Sequence, residues 1–241
     1  MKNNTLFIGA THGNEPIGVR ALERLSKSRQ DFDWIIGNPK AYELNERSFE
    51  GDLNRSAPGD MDSTQFASRR AAEIIEKSQN YKYTIDLHGS AKQVGVFIII
   101  TNLTRENIEL AVMLDIDRIV YWPAVSPELN GPMSEFFPCG LEIECGPKDD
   151  PAVQSELENK IERFLDSHQD SCVVDLEAEL AKREVFQVYG SLIDDVDVEL
   201  NEFQDVTIGD ETFCPLLVNS YKERNNVTCY KMQRVTNLLP L

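Results

Sequence analysis

The chain of 241 residues is 41% hydrophobic and 8% aromatic, the composition of a globular protein with one substantial domain and room for a smaller one. Its net charge of −17 at pH 7 argues against nucleic acid or an anionic membrane surface as a partner. No apolar run approaches the roughly 20 residues of a membrane-spanning helix, and the N-terminus lacks the features of a secretory signal, so we expect a cytoplasmic protein.

Segments typical of strands and helices alternate from residue 5 onward, which predicts an α/β fold with a mixed, mostly parallel sheet and flanking helices. The predicted strands are residues 5–9, 34–36, 83–87, 94–101, 118–121 and 140–145. The predicted helices are residues 16–26, 63–77, 106–114, 151–166 and 173–182, with Asp62 or Ser63 as the N-cap of the second.

Two long stretches without hydrophobic periodicity interrupt this pattern, at residues 42–62 and 123–138. Such long irregular loops inside a compact domain are usually functional or disordered. After residue 184 the chain changes to short β-like runs, at residues 185–193, 206–208, 213–219 and 226–231. We therefore expect an α/β domain over residues 1–182 and a small C-terminal β-rich domain over residues 183–241.

Histidines and carboxylates stand at the ends of three predicted strands. His12 and Glu15 follow the first strand and are three residues apart, where the next helix begins. His88 ends the strand at 83–87, and Glu142 and Glu144 alternate onto one face of the strand at 140–145. Ligands collect outside the carboxyl ends of strands in open α/β sheets, so we expect these side chains to converge. Two histidines and one glutamate, with another glutamate unligated, are the donor set of a catalytic zinc site.

Each of these signals also has a plain structural explanation. His12 could be a surface histidine, and Glu15 a first-turn acid favoured by the helix dipole. His88 could be a hydrogen-bonded histidine at a strand end. Against this, carboxylates buried in a central strand are costly unless they are paired or metal-bound. The five cysteines include no C-x-x-C pair, which favours reduced thiols and argues against a cysteine-ligated metal.

The order of the motifs is more specific than any one of them. Thr11-His12-Gly13-Asn14-Glu15 is followed by Asn38-Pro39-Lys40-Ala41, Arg47, Asp52-Leu53-Asn54-Arg55, Asp86-Leu87-His88 and Glu144-Cys145-Gly146-Pro147. This series resembles the aspartoacylase / succinylglutamate desuccinylase family, which belongs to the wider zinc-carboxypeptidase-like fold group. The resemblance covers residues 5–148 well and the C-terminal part only loosely.

The resemblance implies a zinc-dependent hydrolase that cleaves the amide bond of a small anionic N-acyl amino acid. By that resemblance, His12, Glu15 and His88 bind Zn²⁺, and Glu144, or less favourably Glu142, is the general base; Arg47 steadies the oxyanion, and Asn54, Arg55 and Tyr221 contact the substrate. Planar guanidinium geometry suits a bidentate grip on a carboxylate.

Two other functions remain open at this point. A metallocarboxypeptidase that trims short peptides would use the same chemistry, and a non-catalytic binding protein could retain the same fold. The sequence leaves undetermined the acyl group, the amino acid side chain, the oligomeric state and the origin of the acidic surface.

Overall fold

The computed structural model describes residues 3–123, 131–167, 175–236 and 238. Within these residues, ten strands form one sheet in the order β2-β1-β3-β6-β4-β5-β7-β10-β9-β8. The strands are β1 (Thr5–Gly9), β2 (Asp33–Ile36), β3 (Tyr83–Gly89), β4 (Gly95–Ile100), β5 (Arg118–Tyr121), β6 (Gly140–Gly146), β7 (Glu184–Leu192), β8 (Val206–Ile208), β9 (Glu211–Leu216) and β10 (Cys229–Arg234). All the predicted strands are present, and the predicted mixed α/β fold is confirmed.

Helices flank the sheet on both faces. They are α1 (Ile17–Leu25), α2 (Pro39–Leu44), α3 (Phe66–Ser78), α4 (Arg105–Met113), α5 (Pro151–Asp166), α6 (Leu176–Leu180) and α7 (Lys222–Asn225), with 3₁₀ turns at Leu53–Arg55 and Met133–Phe136. The predicted helix at 173–182 is therefore shorter, and its residues 173–174 lie outside the described ranges, as do residues 124–130 of the predicted loop at 123–138.

The predicted N-cap of α3 is wrong. The helix begins at Phe66 after Gln65, because the Oγ atom of Ser63 accepts a hydrogen bond from the Gln65 N–H and so caps a turn before the helix. The Phe66 N–H instead donates to Glu50 Oε2 at 3.1 Å. A carboxylate from a distant loop therefore satisfies a donor that we had assigned to a local cap.

Helix α2 was not predicted, and its second half lies in the stretch at residues 42–62 that the sequence predicted as a loop. Its N-cap is Asn38, whose Oδ1 atom accepts from the Ala41 N–H at 3.0 Å, and Pro39 follows at the first helical position. Asn45 ends the helix in the left-handed conformation. These are ordinary helix-boundary residues, but six residues are too few to show a hydrophobic period.

The strand pairing changes from mostly parallel to antiparallel across the sheet. Strands β2, β1, β3 and β6 are parallel, β4 is antiparallel to β6, and β5 is parallel to both β4 and β7. Beyond β7, strands β10, β9 and β8 pair in antiparallel fashion. The C-terminal strands thus extend the main sheet through the β5–β7 pair, and the domain boundary at residue 182/183 stays a prediction.

The two faces of the sheet have different cores. One face carries a large cluster that includes Ile85, Leu87, Leu141 and Ile143 and packs against α1, α4 and α5. The other face has two smaller clusters, one around Leu6 and Ile8 beneath α3 and one around Phe97, Phe186 and Met232. Polar residues of β3 and β6 lie on this second face, between the two smaller clusters.

No helix within the described ranges combines the length and apolar character that crossing a bilayer requires. The cysteines in those ranges, Cys139, Cys145, Cys214 and Cys229, are buried and free, while Cys172 lies outside them. None of these four forms a disulfide with another described residue, and the reduced state of the thiols stays a prediction.

The close approach of α1 to β3 depends on Gly18, because a Cβ atom added there would lie 2.6 Å from Leu87 Cβ. We expect Gly18→Ala to lower the free energy of unfolding by roughly 1–3 kcal/mol, the usual cost of overpacking. The matched control is Gly190→Ala in β7, whose added Cβ would meet only the movable end of Lys231 at 3.3 Å. Chemical denaturation of both variants measures the difference, and equal stability losses would contradict this account of the packing.

Candidate active site

Two histidines and one glutamate converge at the carboxyl ends of β1 and β3. After β1 the chain turns toward α1, and the Glu15 N–H donates to the His12 carbonyl at 3.0 Å. Glu15 Oε1 lies 3.0 Å from His12 Nδ1, and Glu15 Oε2 lies 3.1 Å from His88 Nδ1. Potential ligand atoms of the three side chains lie within 4.8 Å of one another, and all three residues are buried.

Both imidazole rings are oriented by carboxylates on their far side. His12 Nε2 lies 3.2 Å from Asp52 Oδ1, and His88 Nε2 lies 3.1 Å from Asp86 Oδ2. The Thr11 hydroxyl lies 2.8 and 2.9 Å from the two oxygens of Asp86. A carboxylate on one ring nitrogen leaves the other for a metal ion, which is the usual arrangement around metal-binding histidines.

The environment of His12 indicates that a metal ion would fit between these residues. His12 Nδ1 is buried and lies 3.0 Å from Glu15 Oε1, but no described residue forms a well-aligned hydrogen bond with it. A buried nitrogen whose hydrogen bonding is incomplete is costly, and coordination of a metal would remove that cost. His12, Glu15 and His88 are therefore able to hold a metal.

The electrostatics of this cluster are strongly coupled. Burial disfavours the charged form of His88, but Asp86 and Glu142 outweigh it, so the pKa of His88 lies well above its ordinary value. Burial likewise opposes ionisation of Glu15, but His12 and His88 hold the pKa of Glu15 well below its ordinary value. The donor set therefore combines an ionised carboxylate with two imidazoles.

Strand β6 adds two more carboxylates beside β3. In the parallel register, Asp86 pairs with Glu142 and His88 pairs with Glu144. Glu142 Oε1 accepts from Asn54 Nδ2 at 3.1 Å and lies 3.7 Å from His88 Nε2. No described residue hydrogen-bonds to Glu144. Of the two glutamates, Glu144 is thus the one left available for another molecule.

Glu144 also differs from an ordinary carboxyl group in its acidity. Burial, together with the negative charge of Glu15, raises the pKa of Glu144 to about 8. A carboxyl group tuned toward neutral pH suits proton transfer, because it can both accept and release a proton there.

The loop at residues 42–62 brings two arginines to the site. Arg47 Nη1 lies 3.2 Å from Glu15 Oε1 and Nη2 lies 3.6 Å from Asp52 Oδ2, and the buried Nε atom has no hydrogen-bond partner among the described residues. Arg55 is exposed, and its Nη1 donates to the Asn54 carbonyl at 2.9 Å. Positive charge is therefore concentrated beside the buried carboxylates.

Asn54 is engaged within the protein at both ends of its amide. Nδ2 donates to Glu142, and Oδ1 accepts from the Met133 N–H at 2.8 Å. The side chain thereby joins the 3₁₀ turn at Leu53–Arg55 to β6 and to the turn at Met133–Phe136. A direct contact of Asn54 with substrate stays a prediction.

A cavity of about 1040 Å³ brings all these groups to one surface. The eight residues predicted from sequence line it: His12, Glu15, Arg47, Asn54, Arg55, His88, Glu144 and Tyr221. Tyr221 reaches it from the C-terminal region, where its ring packs on Tyr230 at 5.8 Å between centroids. Burial raises the pKa of Tyr221, while the nearby Arg47 acts in the opposite direction.

Sequence reasoning did not assign roles to three residues of the site. Asp86 could have been found, because residues two apart in a strand share a face and His88 was already a candidate. Asp52 contacts His12 across 40 positions, and nothing local predicts that pairing. Lys148 also lines the cavity, and its Nζ donates to the Asn14 carbonyl at 2.5 Å.

Comparison with known families gives a match over most of the chain. The model of the succinylglutamate desuccinylase/aspartoacylase catalytic domain matches residues 2–165. Among curated relatives, a probable aspartoacylase of Prochlorococcus marinus (strain MIT 9515) is 32% identical over 177 residues, covering 66% of this chain and 58% of that protein. A probable aspartoacylase of Trichodesmium erythraeum is 26% identical over 182 residues, covering 68% of this chain and 62% of that protein. These matches span less than two thirds of either relative.

Solved structures share the fold over nearly the whole chain. Murine aminoacylase 3 superposes with a TM-score of 0.73 at 19% identity, covering 97% of this chain and 95% of that one. The succinylglutamate desuccinylase of Chromobacterium violaceum gives a TM-score of 0.71 at 17% identity, covering 97% of this chain and 85% of that one. At these identities the likeness concerns the fold.

Proposed function

Because this chain belongs to the succinylglutamate desuccinylase/aspartoacylase family, we propose that it is a zinc-dependent hydrolase that cleaves the amide bond of a small N-acyl amino acid. The observation that carries the proposal is the convergence of His12, Glu15 and His88 with Glu144 in one cavity. The names of the similar proteins, aspartoacylase, aminoacylase and desuccinylase, all denote enzymes that act on acylated amino acids.

His12, Glu15 and His88 would hold the zinc, with Asp52 and Asp86 orienting the two imidazoles. Bound there, zinc would supply Lewis-acid polarisation of a carbonyl group and would acidify water. The remaining steps belong to the side chains of this chain.

Glu144 would take the proton of the attacking water and then deliver it to the departing amine. Its position beside His88 across the β3–β6 pair supports this role, and so does its freedom from other hydrogen bonds in the described residues. Glu142 is the weaker candidate because Asn54 already donates to it.

The cations and Tyr221 would bind the substrate. Arg47, next to Glu15, would stabilise negative charge as it develops on the carbonyl oxygen, an effect worth roughly 3 kcal/mol for one donor in other enzymes. Arg55, exposed in the cavity beside Asn54, would grip the substrate carboxylate, with Tyr221 on the wall formed by the C-terminal strands. This concentration of positive charge explains how so acidic a chain can bind an anion.

The volume of the cavity also favours a second candidate function, the hydrolysis of short peptides. Its 1040 Å³ lies at the upper limit of typical small-ligand pockets, about 1,000 Å³, so short peptides belong in the substrate panel beside N-acyl amino acids. Hydrolysis of peptides alone would favour a metallocarboxypeptidase, and zinc binding without hydrolysis would favour a binding protein. Cytoplasmic location and the choice of acyl group stay predictions.

The first test separates two possible metal clusters that share His88. We expect Glu15→Gln to lose stoichiometric zinc, because it removes an anionic ligand, and Glu142→Gln to retain it. Metal content after dialysis against a weak chelator measures both. The reverse result would move the ion to the second cluster, formed by Asp86, His88 and Glu142.

The second test concerns the base. We expect Glu144→Gln to keep zinc and the fold but to lower kcat by at least the ~10²-fold typical of acid–base groups, because the amide cannot accept a proton. Steady-state kinetics of zinc-loaded protein measures this. A kcat close to that of the wild type would reject Glu144 as the base. If only Glu142→Gln lowered kcat, Glu142 would be the base instead.

The third test asks whether Arg55 binds the carboxylate group of the substrate. A lysine cannot reproduce the bidentate contact of a guanidinium group, so Arg55→Lys should lower kcat/KM for an N-acyl amino acid while zinc stays bound. The same variant should discriminate poorly between that acid and its carboxamide. If the wild type hydrolyses the acid and the carboxamide equally well, Arg55 does not recognise the carboxylate group of the substrate.

A further inference from the structure

The segment that carries Tyr221 into the cavity has an unfavourable backbone. Leu217, Asn219, Ser220 and Tyr221 all line the cavity. Leu217 has a φ of 54° and Asn219 a φ of 57°. Asparagine tolerates this left-handed region, but leucine does not, because its Cβ atom crowds the following carbonyl. Such a conformation persists only where the surroundings impose it.

Glu202 supplies that constraint. Its Oε2 atom accepts from the Leu217 N–H at 2.7 Å and its Oε1 atom accepts from the Val218 N–H at 2.8 Å. Both carboxylate oxygens are thus used on two successive amides, one of which belongs to the strained residue. Charge-assisted hydrogen bonds of this kind are stronger than those between neutral groups.

The residue after Glu202 anchors the carboxylate to the core. Phe203 is buried, and its N–H donates to the Pro215 carbonyl at 3.1 Å. Its ring lies 5.2 Å from that of Phe97 and 5.4 Å from that of Phe186. Glu202 is therefore set by the packed interior rather than by the solvent-facing segment before it.

The C-terminal end of the segment at residues 217–221 is held by separate backbone contacts. The Asn219 N–H donates to the Thr228 carbonyl at 2.7 Å, and Tyr221 forms a β-bridge with Val227. The Leu217 and Val218 amides, at the near end, are bound by Glu202. Loss of the carboxylate would free the Leu217 and Val218 amides, while the Asn219–Thr228 hydrogen bond and the Tyr221–Val227 bridge would remain.

We propose that Glu202 is a positioning residue, which holds residues 217–221 in the strained conformation that places Tyr221 in the cavity. Glu202 itself touches no reacting group in this arrangement and acts through Tyr221. The inference rests on the proposed function only in so far as Tyr221 contacts substrate there. The hydrogen bonds to Leu217 and Val218 can be tested without any substrate.

The structural test is hydrogen exchange in the zinc-loaded protein. In Glu202→Gln, the Leu217 and Val218 amides should exchange roughly tenfold faster or more, as expected on losing a charged acceptor. The matched control is Glu199→Gln, which changes an exposed glutamate three residues earlier in the same segment. Unchanged exchange at both amides in Glu202→Gln would overturn the proposal. If that variant does not fold, Glu202→Asp, which keeps the charge but is one methylene shorter, should show the same acceleration.

The kinetic test is a double-mutant cycle with Tyr221→Phe. Glu202→Gln should lower kcat/KM for an N-acyl amino acid by roughly tenfold, without loss of zinc, and should have less than a twofold effect when Tyr221 is already phenylalanine. Equal effects in both backgrounds would overturn the proposal, because Glu202 would then not act through Tyr221. If the wild type hydrolyses no N-acyl amino acid, the proposed function has failed, while the exchange result still supports or overturns the role of Glu202.

Discussion

The in-register pairing of β3 with β6 is the constraint on which the site depends. Successive side chains of a strand point to opposite faces, so a fixed register decides which residues of two neighbours meet. Here Asp86 lies beside Glu142 and His88 beside Glu144 on one face, while Ile85, Leu87, Leu141 and Ile143 enter the main core on the other. A slip of β6 by one residue would turn Glu142 and Glu144 into that core and remove them from the site.

The same face shows how the protein accommodates concentrated negative charge. Glu15, Asp86 and Glu142 are buried within a few ångströms of two histidines, and buried carboxylates are costly unless they are paired. Hydrogen bonds from Thr11 and Asn54 and the proximity of Arg47 offset part of that cost. A cation held by His12, Glu15 and His88 would offset more of that cost.

The C-terminal strands contribute to the site by extending the sheet. Because β7 pairs with β5, the antiparallel strands continue the sheet of the α/β region, and their loop reaches the cavity between the two smaller cores. Tyr221 thus joins residues more than 70 positions earlier in the chain, and its ring packs against that of Tyr230. The C-terminal strands beside the cavity and the strands that carry His88 and Glu144 are therefore parts of one sheet.

The sequence by itself determined the strands, the fold class and the position of His12 and Glu15 at the end of the first strand, because hydrophobic alternation and the spacing of these two residues are local and follow from backbone geometry. It also placed Glu142 and Glu144 on one face, and only the family resemblance ranked Glu144 above Glu142 as the general base. Only the tertiary structure decided that Asn54 engages Glu142, that Asp52 orients His12 and that Glu50 replaces the expected cap of α3. These contacts join residues across 88, 40 and 16 positions, and they depend on the paths of loops that carry no periodic signal. Local pattern therefore predicts which face a side chain occupies, whereas its partner is set by how distant segments pack.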